Sequence, residues 1–365
     1  MKRLALLLPL IFVIFTACPS QNQGLEVDSG QVTTLLLTMG SGIDDGSFYA
    51  AAWRGITAFY GDTPQRTTYR GRFYNDLFVS GQDLVIPTLR DATDEGVSLV
   101  ITAGFTFEEA LWIVAADNPQ QYFLMVDTAV ELPNVVSAVF AEDEASFLVG
   151  AVAALKAVED GIVNPQFGFI GGMPGPVITR FQLGFIQGVR SVLPDAVVRE
   201  FYANAWDAPE LAYVQALNWF NDGVFAIFSA ASTTGNGAIR QAAEMRSMGR
   251  NVWAIGVDSD QHDYGLYTAT NSAVLTSALK MVEIPVFDTL TAIANGEFRG
   301  GEVLVYNLAM NGVDFARTNS ALSPAIINRV ELLRQQIIDG ELVLITNAEQ
   351  ARAMGMLPAF SMAAD

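Results

Sequence analysis

Acids, aromatic rings and glycine turns gather at one kind of place in this chain, directly after short apolar runs. The segments are GSGIDDGSF (40–48), GFTF (104–107), VDT (126–128), GGMPGPVITRF (171–181), SAASTTGNG (229–237) and GVDSDQHD (256–263). Aromatic faces stack on planar rings, and carboxylates accept hydrogen bonds from ring N–H groups or from paired sugar hydroxyls. Such a set suits a planar, polyhydroxylated small molecule. Asp44 and Asp45 precede a helical pattern. An acid there either caps the helix, a contribution on the order of 1 kcal/mol, or reaches a ligand. We expect one of the two to do each. Phe48, Phe105 and Phe181 likewise have two uses, packing in a core or offering a stacking face.

Other chemistries find little support. Gly40, Gly42 and Gly46 imitate a glycine-rich nucleotide fingerprint, which keeps an exported nucleotide-binding enzyme as an alternative. A phosphate loop works through backbone N–H groups at a helix N-terminus, and two acids inside it would repel a pyrophosphate. The sequence has no GxSxG elbow and no Walker loop, and His262, its single histidine, has no evident serine or cysteine partner. Asp258, Asp260 and Asp263 lack the glycine and distal glutamate of an EF-hand loop. No metal, cofactor or catalytic residue is expected. The formal charge of −19, from 39 acids against 20 bases, argues against a sequence-independent grip on nucleic acid or anionic lipid.

Positioning these segments takes a regular scaffold. From Val32 onward, apolar runs such as TTLLLTM, SLVITAG, YFLMVD and VVSAVF alternate with amphipathic stretches such as SFYAAAWRGITAFYG and TFEEALWIVAADNP. A second series, QFGFIGG, VVREFYA, VFAIFSA and VWAIGVD, repeats the rhythm. This is βαβ alternation, which builds parallel sheets. With 365 residues available, it predicts two doubly wound α/β lobes of similar size. The first lobe is expected over 32–140 plus about 266–315, and the second over 141–265 plus about 316–365. Ligands of such sheets bind at the carboxyl ends of the strands, where the chemical segments fall.

The first seventeen residues, MKRLALLLPLIFVIFTA, place two positive charges ahead of an apolar stretch that closes on small residues, the pattern of an export signal. FTAC resembles a lipobox, which makes Cys18 the lipidated first residue of the mature protein. Its removal deletes Lys2 and Arg3 and no acid, taking the formal charge from −19 to −21. Residues 18–31 are polar and without periodicity, a flexible tether reaching on the order of 20 Å.

The runs GIDDGSFYAAAWRG, FAEDEASFLVGAVAALK, FGFIGGMPGPVITRFQLGFIQGV, VWAIGVDSDQ and TSALKMVE resemble the basic membrane protein family of substrate-binding lipoproteins, in particular its nucleoside-binding group. The likeness runs from about Leu35 to Gly312. It implies a type I periplasmic-binding-protein fold, two lobes with a ligand cleft between them, and no catalysis. It also implies a nucleoside ligand, expected to be a purine, an ABC permease as partner, and a monomer held outside the cell membrane by its lipid. Position by position, Asp45 matches the carboxylate facing the base edge, and Phe48 and Phe181 match the opposed stacking rings. Phe105 and Asp127 match further pocket positions, while Asp258 and Lys280 match the residues holding the ribose hydroxyls. Gly46 and Tyr49 depart from the lysine and asparagine usual there. A sugar or autoinducer receptor of the same fold is the alternative, since Asp258 would serve any vicinal diol. Lys280 stands out independently: the chain has three lysines, Lys2, Lys156 and Lys280, against seventeen arginines, and a guanidinium does not replace a compact ammonium among sugar acceptors. Lys156, on an Ala-rich stretch, reads as a surface residue.

Overall fold

The computed structural model describes residues 32–61, 74–358 and 361–364. The export signal, the tether and Cys18 lie outside the described residues. Twelve strands are described: β1 (Thr34–Thr38), β2 (Tyr74–Phe78), β3 (Leu99–Ala103), β4 (Tyr122–Val126), β5 (Val135–Phe140), β6 (Gln166–Gly171), β7 (Val197–Tyr202), β8 (Val224–Ala230), β9 (Trp253–Asp258), β10 (Val274–Lys280), β11 (Val303–Tyr306) and β12 (Val313–Phe315). The helices are α1 (Phe48–Phe59), α2 (Val85–Asp94), α3 (Glu108–Asp117), α4 (Glu142–Glu159), α5 (Pro176–Val192), α6 (Pro209–Asn221), α7 (Thr233–Ser247), α8 (Glu283–Ala294), α9 (Pro324–Ile338) and α10 (Ala348–Ala353).

They form two six-stranded sheets, ordered β2-β1-β3-β4-β5-β11 and β7-β6-β8-β9-β10-β12. Among the pairings of the described strands, only β10–β12 is antiparallel. β1, β3, β8 and β9 are buried along their whole length, which is why they read as continuous apolar runs rather than alternating ones. The expected pair of doubly wound lobes is present. In each, the strand order reverses beside the first strand, and the crevice at that switch point opens on the carboxyl ends of the strands.

The chain passes between lobes at Ala141, at 281–282 and at 307–312. The second passage corrects the expected boundary near 265, because β10 pairs with β9 and stays in the second sheet. Residues 259–273 make this parallel connection with only a short 3-10 turn, His262–Gly265, and no α-helix. Without a crossover helix, the connection looks in the sequence like a lobe boundary.

Helices α4 and α5 pack closely on each other. A Cβ on Gly184 would lie 2.2 Å from the Asp143 carbonyl oxygen, and one on Gly188 would lie 2.0 Å from that of Phe147. Only glycine permits this approach, and it holds the start of α4 against the middle of α5.

Candidate functional site

The lobes enclose a cavity of about 600 Å³, its open mouth included. The first lobe supplies Met39 after β1, Phe48 and Tyr49 from α1, Phe105 and Thr106 after β3, and Asp127 after β4. The second supplies Val177, Ile178 and Phe181 from α5, Trp206 from the loop after β7, Ser232 after β8, Asp258 at the end of β9 and Lys280 at the end of β10. Six of the seven residues singled out in the sequence therefore border one space: Phe48, Phe105, Asp127, Phe181, Asp258 and Lys280.

Asp45 does not. It is fully buried, and its carboxylate accepts the backbone N–H groups of Ser47 at 2.9 Å and of Tyr49 and Ala50 at 3.0 Å. Ser232 Oγ approaches its second oxygen at 3.4 Å. Burial pushes this carboxyl above its usual range while the amide bonds pull it back. The carboxylate is thus the cap of α1 rather than a group facing a base. Asp44 is exposed and lies in a separate crevice with Arg54 and Asp260, so neither member of the acid pair enters the cavity.

Lys280 is the electrostatic centre. Its buried ammonium donates to Asp127 Oδ1 and, at 2.9 Å, to Glu142 Oε1. It lies 5.1 Å from the ring centroid of Phe48, 5.0 Å from Phe140 and 5.8 Å from Phe181, within cation–π reach of all three. Burial alone would lower its pKa, but Asp127, Glu142 and Asp258 outweigh it and hold the ammonium charged. Glu142 also accepts from Arg180 Nε at 2.6 Å, and the two cations overcome burial to keep it ionised. Asp258 accepts from Ser47 Oγ at 2.8 Å across the lobe interface, and burial, partly offset by Lys280, pushes it up to about 7. Lys156, by contrast, is largely buried on α4 and pairs with Glu159 and Asp160 at 2.8 Å each.

The backbone is strained at this site. Among the described residues, six other than glycine have a positive φ; three are asparagines, which tolerate that region, and the others are Asp127 at 89°, Ser232 at 48° and Asp258 at 63°. All three line the cavity, the usual place for such conformations.

Sequence reasoning missed Trp206, Ser232 and Glu142. Trp206 packs edge-on to Phe105 at 6.1 Å, and its ring fills the space a side chain on Gly172 would need. It lies in the loop after VVREFYA, a strand end that carries neither an acid pair nor a glycine turn. The two departures in the first loop have physical partners. Tyr264 of the second lobe sits over Gly46, where a Cβ would lie 1.9 Å from its hydroxyl, and the phenol of the half-buried Tyr49 is bonded to the backbone of Met39.

A family profile described as "ABC transporter substrate-binding protein PnrA-like" matches residues 32–347. The chain belongs to that family. This PnrA-like chain is 32% identical over 341 residues to the "CD4+ T-cell-stimulating antigen" of Listeria innocua, covering 90% of this chain and 94% of the relative. It is 30% identical over 328 residues to the "ABC transporter nucleoside-binding protein BmpA" of Lactococcus lactis subsp. cremoris, covering 87% and 91%. A solved solute-binding protein of an ABC transporter system from Aeropyrum pernix K1 superposes with a TM-score of 0.76 at 22% identity, covering 89% of this chain and 98% of that one. The PnrA-like role is to bind a transported substrate, not to convert it. Substrate-binding proteins of ABC transporters act outside the cytoplasm, and no described helix is long and apolar enough to cross a membrane.

Proposed function

We propose that this chain is the receptor of an ABC importer for a nucleoside, with purines preferred, tethered to the membrane by a lipid on Cys18 and working as a monomer. The observation that carries the reading is the cavity itself, where the Phe48 and Phe181 rings both lie within 6 Å of the Lys280 ammonium, beside the carboxylates of Asp127 and Asp258. The two rings take the faces of a base, and Asp258 accepts from the ribose hydroxyls. Lys280 has three N–H donors and spends two on Asp127 and Glu142, leaving one for a sugar oxygen. Three carboxylates against Lys280 and Arg180 leave no surplus of positive charge, which favours an uncharged ligand over a phosphorylated one. The name of the Lactococcus relative supports the same ligand class.

The test is mass spectrometry of small molecules co-purified with the protein, followed by melting curves with added nucleosides. A ligand bound only by the closed form stabilises by about 2.7 kcal/mol at a hundredfold excess over Kd. If inosine, guanosine, adenosine, cytidine and uridine all leave the melting curve unmoved, the nucleoside reading fails; a sugar as the co-purified molecule assigns the cavity to a sugar receptor.

A further inference from the structure

Three carboxylates face the Lys280 ammonium from three elements: Asp127 after β4, Glu142 in the first turn of α4, and Asp258 at the end of β9. They differ in access. Asp127 and Asp258 line the cavity, whereas Glu142 is fully buried behind it, with one oxygen on Lys280 and the other on Arg180. They also differ in lobe. Asp127 belongs to the first sheet, so its bond to Lys280 spans the lobe interface and parts when the lobes separate. Glu142 and Arg180 move with Lys280, because α4 and α5 pack on each other and α4 packs on β10. Arg180 is also the residue before Phe181. Asp143, a further acid near this pair, faces Glu142, Glu144 and Arg180.

We propose that Glu142 and Arg180 are positioning residues of the ligand site: Glu142 holds the Lys280 ammonium in its binding orientation throughout, and Arg180 fixes Glu142 relative to the ring of Phe181. Closure of the lobes then only brings Asp127 to a donor already aimed. The proposal rests on Lys280 facing the ligand, the reading given above, but its structural core can be tested without any ligand.

The scarcity of lysine provides the probe. The full chain has three lysines, so 15N-lysine labelling gives at most three ammonium signals, with Lys156 as an internal control. At neutral pH the Lys280 ammonium of the unmodified protein is expected to show slow proton exchange. Glu142→Gln should speed that exchange by on the order of 10-fold and leave Lys156 unmoved. The same variant should weaken inosine binding by at least ~10-fold and reduce the preference for inosine over its 2′,3′-dideoxy analogue. Arg180→Gln should act in the same direction by a smaller factor, and Arg180→Lys should restore part of the loss; this pair decides the matter if Glu142→Gln does not fold. An unchanged Lys280 signal in Glu142→Gln and Arg180→Gln overturns the proposal, whatever happens to binding. If the unmodified protein binds no nucleoside while the Lys280 signal responds as expected, the nucleoside reading falls and the positioning role stands.

Discussion

Replacing Asp45 by alanine separates a helix cap from a ligand contact at one residue. The substitution leaves the amides of Ser47, Tyr49 and Ala50 without their acceptor at a place where the acid was fully buried. Loss of a capping side chain costs about 0.5–2 kcal/mol, and each buried donor left unpaired adds about 1–3 kcal/mol when no water replaces the oxygen. The carboxylate's vacated volume is large enough for one water that serves some of these amides. A net loss of about 2–4 kcal/mol results. At roughly 2 °C per kcal/mol for a chain of this size, melting should fall by about 4–8 °C in scanning calorimetry. Asp45→Asn keeps one acceptor oxygen and should lose about half as much. Nucleoside affinity should fall by less than about fivefold, an effect near 1 kcal/mol that enters only through the looser placing of Phe48. A variant that melts within 1 °C of the unmodified protein, yet binds more than tenfold more weakly, would refute the capping argument and return Asp45 to the ligand.

The two stacking rings should separate in their effects. Phe48→Ala should weaken nucleoside binding by about 1–3 kcal/mol with little change in melting. Phe181→Ala should do both, since Phe181 is buried and meets Phe228 edge-on at 5.9 Å, and a deleted core phenylalanine costs about 3–5 kcal/mol. Asp258→Ala should erase at least ~10-fold preference for a ribonucleoside over its 2′,3′-dideoxy analogue while keeping the ranking among bases, as titration calorimetry would show. If it discriminates as the unmodified protein does, Asp258 does not hold the sugar. Burial pushes Asp258 and Asp143 up to about 7, so each contributes stability that is fully present below the ordinary carboxylate range and is lost as pH rises through about 7. The ligand-free protein should therefore melt higher at pH 6 than at pH 8, a difference that Asp258→Asn combined with Asp143→Asn should reduce. Nucleoside binding should show the opposite trend if the ribose needs an ionised Asp258; affinity that is flat across this range would count against that role.

The scaffold was legible because parallel strands covered on both faces leave uninterrupted apolar runs, as in β1, β3 and β9. Residues directly after such runs face the crevice by topology, which is how Phe105, Asp127 and Asp258 could be located without coordinates. Asp45 could not be assigned in this way. A cap and a ligand contact ask for the same residue type at the same position, and only the direction of the side chain distinguishes them. Glu142 was hidden for a related reason: in FAEDEASF it reads as one of three acids favourable at a helix start, and nothing local shows that Lys280, 138 residues later, lies against it. The passage after Lys280 was misplaced because a parallel connection without a helix has no 3.6-residue rhythm to announce it.

All three passages between the lobes leave from one side of the sheets, where β5 and β11 lie in the first and β10 and β12 in the second. The cavity residues are therefore ranked by leverage. Strands lie about 4.8 Å apart, so in the second sheet Lys280 is about one strand from the axis, Asp258 about two, and Trp206, whose carbonyl accepts from Thr234 after β8 and whose ring covers Gly172 after β6, about three to four. A 20° rotation about the passages, in the manner of a hinge, would displace these positions by roughly 2, 3 and 6 Å respectively. A ligand would thus enter past a wide-swinging aromatic rim and come to rest against a nearly stationary ammonium. The far rim, rather than the charged floor, would set how fast the ligand comes and goes, while the floor would set which ligand is worth closing on.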